Sequence, residues 1–240
     1  MNNAILKEIY KHKNKEKGNI LSRFFKTGSG QYGEGDIFLG ITVPVSRAIA
    51  IKYSNISMNE ISELLKNKYH EIRLIALLIL VHNYKKTNDI KIKEKIYNFY
   101  LKNLKYINNW DLVDLSAHYI VGDLLFLKSN TVQTKKILDK LAQSNNIWKR
   151  RVAVLSTFAF IYKGESELTF YITKILLKDS HDLIHKACGW MLREVGKRVS
   201  EKDLLSFLDT YGTQMPRTML RYAIERLPNS KRLHYLRMKN

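Results

Sequence analysis

The chain has 240 residues, 45% of them hydrophobic, so it can bury a core, and general disorder is excluded. Its 41 Lys and Arg against 22 Asp and Glu give a formal charge of +19, which repels itself and puts nucleic acid ahead of a membrane or an acidic protein as the partner. A single cysteine, Cys188, excludes an internal disulfide and a multi-cysteine zinc site, and it suits a reducing cytoplasm.

In chain order, the N-terminal segment MNNAILKEIYKHKNKEKGNI is charged and lacks a long apolar core, so it does not read as a secretion signal. The stretch KTGSGQYGEGD, residues 26–36, contains G-x-G-x-x-G at Gly28, Gly30 and Gly33. A dinucleotide site is rejected, because no strand precedes it, no βαβ unit surrounds it, and Asp36 lies too close to serve a ribose. It reads as a flexible connection between helices, with amides that could approach a phosphate.

Apolar residues then recur at helical spacing, as at Ile72, Ile75, Ala76 and Ile79, and at Val113, Ala117 and Ile120. The longest aliphatic run, Leu74–Val81, is far shorter than the roughly 20 residues a membrane span needs. Five helices read as copies of one unit: 70–84, 109–125, 146–160, 182–197 and 216–227. Each carries a small residue near its centre, Ala76, Ala117, Ala153, Gly189 and Ala223, at spacings of 41, 36, 36 and 34. The small residues allow a close approach to the neighbouring helix. The segments 88–100, 132–141, 165–177 and 200–209 read as first helices of the pairs. The expected fold is therefore all-α: a curved, right-handed solenoid of HEAT-like helix pairs, forming one domain over residues 1–240.

The repeated helices carry the candidate functional residues. Trp110 and Asp114 are four apart and share a face, as do Trp148 and Arg151, three apart. Trp190, Arg193 and Lys197 continue the pattern in the next unit. Tryptophan stacks on sugars and bases, and Arg holds phosphate. A lone carboxylate among so many cations makes sense beside a transient cation. Each residue alone also has a plain structural use, since a helix-start Asp interacts with the helix dipole and Trp anchors cores. The C-terminal stretch adds Arg217, Arg221, Arg226, Lys231, Arg232, Arg237 and Lys239 against one acid, Glu225.

The stretches 24–47, 108–125, 146–161, 181–198 and 215–228 resemble the AlkD family of HEAT-repeat alkylpurine DNA glycosylases, along nearly the whole chain. The resemblance implies a DNA glycosylase, a hydrolase acting on N-glycosyl bonds. It would excise cationic N3- and N7-alkylated purines such as 3-methyladenine and 7-methylguanine without flipping the lesion into a pocket. It implies that Trp110 and Trp190 flank the lesion's deoxyribose and that Asp114 is the catalytic carboxylate. Arg151 would grip the nearby phosphate and Arg47 the backbone. The implied partner is double-stranded DNA bearing alkylated bases, met by a cytoplasmic monomer with no metal or organic cofactor and no obligate protein partner. The chain departs from the family pattern in its longer glycine-rich 26–36 stretch and in Phe24, where a tyrosine can occur, and both bear on substrate range. The alternatives are a non-catalytic HEAT-repeat protein that binds branched or distorted DNA, a scaffold for an acidic protein, and a role on RNA.

Overall fold

The structure, a computed structural model, describes residues 3–238. Among these it is all-helical, with one isolated β-bridge between Ile37 and Tyr69. The chain packs as two compact units, Met1–Ile120 and Val121–Asn240.

The first unit is built on a helix that is buried all round along most of its length. It contains α1 (Asn3–Lys11), α2 (Lys15–Phe24), α3 (Val43–Lys52), α4 (Met58–Leu65), α5 (His70–Lys86), α6 (Ile90–Lys102) and α7 (Trp110–Asp114). Every residue of α5 from His70 to Val81 is buried, because α3 and α4 pack along it and α6 and α7 touch it. Such a helix draws its stability from packing on several sides, at about 1.5–3 kcal/mol per fully buried Ile or Leu. The capping box of Ser57 and Glu60 starts α4. The loop ahead of α3 is held by the buried carboxylate of Glu71, which accepts the amides of Leu39, Gly40 and Ile41 at 2.8, 2.8 and 3.1 Å. Gly40 has φ +84°, and a Cβ there would lie 2.0 Å from the Asn14 carbonyl oxygen, so only glycine fits.

The second unit contains α8 (Asp123–Leu127), α9 (Thr131–Ala142), α10 (Ile147–Ile161), α11 (Glu167–Ile175), α12 (Asp182–Arg198), α13 (Glu201–Tyr211), α14 (Arg217–Ala223) and α15 (Asn229–Arg237). Here the expected pairing is realised: α9 lies along α10, α11 along both α10 and α12, and α13 along α12. The second helices stack in series, α10 on α12 and α12 on α14. The small-residue reading holds most sharply at Gly189, where a Cβ would sit 2.4 Å from the Met219 carbonyl oxygen and 2.5 Å from the Tyr222 Cβ. Ala76, Ala117, Ala153 and Ala223 are all buried to within 1%.

Two expected helices differ from the structure. The segment 109–125 is broken into α7, a π-helical turn over His118–Gly122, and α8. Ser116 lies in the break, where its hydroxyl donates to the Leu112 carbonyl and meets the Tyr100 hydroxyl at 2.9 Å. The segment 216–227 is helical only to Ala223, and Ile224–Leu227 turn ahead of Pro228, which keeps Leu227 out of helical geometry.

Candidate active site

In the first unit the site is organised around the start of α7. Asn109 accepts the Trp110 amide at 2.8 Å and sets where the helix begins. The half-buried Trp110 indole then lies flat on Phe25, with centroids 4.8 Å apart and planes at 16°, and Phe24 meets it edge-on at 5.8 Å. The Trp110 Nε1 donates to the Tyr32 hydroxyl at 3.3 Å. Phe25 stacks in turn on Phe38, at 4.8 Å, and Phe38 stacks on His70, at 4.5 Å. Trp110 is thus the outer member of a column of rings.

Beneath that column lies a buried ionic network. His70 bridges two carboxylates, with Nε2 2.8 Å from Asp111 Oδ2 and Nδ1 3.1 Å from Asp36 Oδ2. Asp36 also accepts from Asn109 Nδ2 at 2.8 Å and from the Arg73 guanidinium. Burial alone would push the imidazole pKa down, but Asp111 and Asp36 prevail and raise it to about 9, so His70 is a doubly donating cation at neutral pH. Burial opposes ionisation of Asp36, and the contacts from His70, Arg73 and Asn109 outweigh it and hold its pKa below the usual carboxylate range. Asp111 accepts the Leu112 amide as well.

The glycine-rich stretch is therefore not a slack connection. Its last residue, Asp36, is anchored in the network, and Tyr32 reaches Trp110. Its amides are largely committed internally: Gly28 donates to Gln31 Oε1, Gly30 to Glu34 Oε2 and Gly33 to the Lys26 carbonyl.

Asp114 is half-buried, four residues and about one helical turn after Trp110. Its charge is felt by the fully buried Tyr100, whose hydroxyl is pushed up by burial first and by Asp114 in addition. His118 follows in the π-helical turn, and burial, together with the Lys85 ammonium, lowers its pKa to about 4, so it is neutral. Lys85 lies 3.3 Å over the Tyr119 ring. Arg47 is exposed on α3.

In the second unit the expected residues fall into two groups. Trp148 is only 7% exposed and belongs to the core, because α10 is buried on nearly all sides and offers it no outer face. Arg151 is 5% exposed and donates to the Leu183 carbonyl at 2.6 Å, which ties α10 to the start of α12. The face of α12 is more open. Trp190 is half-buried, its Nε1 3.3 Å from Glu194 Oε1, with Phe158 at 5.8 Å. Glu194 is buried and also holds Arg198 at 2.7 Å and Arg193 at 3.6 Å. Arg193 pairs a second time with Glu225, and Lys197 is exposed. The Arg198 guanidinium lies over Tyr162 at 4.7 Å.

Sequence reasoning missed Asp36, His70, Arg73, Asn109 and Glu194. The partners of Asp36 lie 34, 37 and 73 residues away, so local spacing carries no signal of them. Glu194 is the exception, because its spacing of four from both Trp190 and Arg198 placed all three on one face.

Stacked helix pairs, a +19 charge and an aromatic-braced carboxylate helix define an all-helical repeat protein suited to a polyanion. The chain belongs to the DNA alkylation repair enzyme family, whose model matches residues 5–227. Membership gives it a role in alkylation repair and implies that it acts on DNA. A solved structure from Enterococcus faecalis, described as a predicted DNA alkylation repair enzyme, superposes with a TM-score of 0.69 at 17% identity, covering 91% of this chain and 98% of that one. At that identity the likeness is one of fold. No curated protein matches the chain. No helix among the described residues is long and apolar enough to cross a membrane.

Proposed function

We propose that this protein is an alkylpurine DNA glycosylase of the AlkD type, which hydrolyses the N-glycosidic bond of cationic N3- and N7-alkylated purines in double-stranded DNA. Asp114 carries the reading. It is a half-buried carboxylate about one turn after Trp110 on α7, and its charge reaches the buried Tyr100 hydroxyl, whereas Asp36 and Asp111 both hold His70.

An alkylated purine already bears a positive charge and departs as a neutral base, so no strong general acid is required. The barrier is the oxocarbenium-like cation that develops on the sugar. A fixed carboxylate stabilises that cation and orients the attacking water. Losing such a preorganised partner costs about 3–4 kcal/mol, on the order of 100–1,000-fold in rate. The ring column beneath Trp110 fixes its face as a second electron-rich surface, worth roughly 0.5–2 kcal/mol against a desolvated cation. Trp190 is assigned the same kind of sugar contact, with Glu194 fixing its indole.

Arg47 and Lys197, both exposed, are assigned to the DNA backbone. Arg193 shares that task while bound to Glu225. Arg151 contributes mainly by holding α12 through Leu183, since a phosphate would reach only a small part of a side chain this deeply buried. The test is release of free 7-methylguanine and 3-methyladenine from methylated duplex by the purified protein. Time-dependent release of both supports the proposal. Tight binding of branched or methylated DNA with no release would leave a non-catalytic DNA binder instead.

A further inference from the structure

The hairpin of α14 and α15 encloses a pocket of about 290 Å³ lined by Arg217, Arg221, Arg232, Ile224 and Leu236. Arg217 and Arg221 are four residues apart on α14 and share its face, and Arg232 comes from α15. All three arginines are exposed, and no ion pair to a described carboxylate neutralises any of them. The nearby acids are spent elsewhere: Glu225 on Arg193, Glu201 on Lys231, and Asp209 on the Tyr235 hydroxyl. Arg217 Nη2 donates to the Leu236 carbonyl at 2.9 Å, which fixes one guanidinium against the pocket wall.

Three guanidinium groups around one concavity repel one another unless an anion lies between them. Their planar forks match the tetrahedral oxygens of phosphate. A phosphate monoester offers three terminal oxygens and nearly two charges, whereas a backbone diester offers two oxygens and one charge, so three cations suit the monoester better. Ile224 and Leu236 supply apolar lining between the three guanidinium groups. We propose that the Arg217–Arg221–Arg232 pocket binds a phosphate monoester. The group can come from a strand terminus, such as the one left when an abasic site is cut, or from a free nucleotide. This inference rests on the charges of α14 and α15 alone and is independent of the excision chemistry.

The experiment uses the full chain and its Arg221→Gln/Arg232→Gln variant, whose exposed changes leave the core untouched. Anisotropy is measured on nicked duplexes that differ only in a 5′-phosphate or 5′-hydroxyl at the nick, and on intact duplex. Thermal midpoints are measured with deoxyadenosine monophosphate and with inorganic phosphate. A preference of about tenfold for the 5′-phosphate nick, lost in the variant, supports the proposal with a strand end as the source. A midpoint rise with the free nucleotide, absent in the variant, supports it with a free source. The proposal is overturned if the wild type shows neither effect. It is also overturned if the variant loses affinity equally for all three duplexes, because the arginines would then be gripping diesters.

Discussion

Raising the pH should dismantle the His70 network before it affects the rest of the molecule. The imidazole has a pKa of about 9 in the folded chain, against about 6.5 when unfolded. A raised pKa means the folded state holds its proton more tightly, so this stabilisation is complete below pH 6.5. It declines as pH climbs, and is gone once pH passes 9. Each pH unit in that window removes about 1.4 kcal/mol, for a total on the order of 3 kcal/mol. The assay is urea unfolding of wild type and His70→Gln at intervals from pH 6 to pH 10, taking the difference at each pH so that groups common to both cancel. The wild-type advantage should shrink steadily across the window. A difference that stays flat from pH 6.5 to 9.5 would mean that His70 is not a cation between Asp36 and Asp111, and the electrostatic reading of the site's foundation would fail.

Other outcomes follow from the same geometry. Gly189→Ala should lower stability by about 1–3 kcal/mol, because its Cβ would meet the Met219 carbonyl; calorimetry or urea midpoints check this. On the acid side, stability should fall from pH 6.5 towards 4 as His118, neutral in the fold, is forced to charge, and His118→Asn should flatten that arm of the urea series. DNA affinity should fall steeply between 50 and 200 mM salt, by about 10³–10⁵ if 6–10 phosphates are neutralised. A nearly level anisotropy titration over that range would contradict a cationic binding surface. Trp110→Ala should cut base release about 2- to 30-fold, and Tyr32→Phe only slightly, since the ring column holds the indole without the 3.3 Å hydrogen bond.

Much of the fold was legible because helix pairs write themselves into sequence at short range. Long apolar stretches without proline mark α5 and α10, the period of 3.6 marks α12, and the small residues mark where second helices touch, as Gly189 does against Met219. The break inside 109–125 was not legible, because no proline interrupts that stretch and its apolar residues keep the helical spacing through it. Spacing paired Trp148 with Arg151 correctly on one face, but it could not tell an outer face from an inner one in a helix buried nearly all round. Trp110 and Asp114 were legible as a pair on α7. What braces them was not, because Phe25, Tyr32, Asp36 and His70 reach the site from distant segments through contacts that only the folded chain creates.

The most direct measurement is single-turnover excision of 7-methylguanine by wild type and Asp114→Asn, with duplex affinity measured on the same preparations. Asparagine keeps the size and removes the charge, so binding should be nearly unchanged while the excision rate falls on the order of 100–1,000-fold. A variant that binds and excises like the wild type would remove Asp114 from the chemistry and with it the central claim.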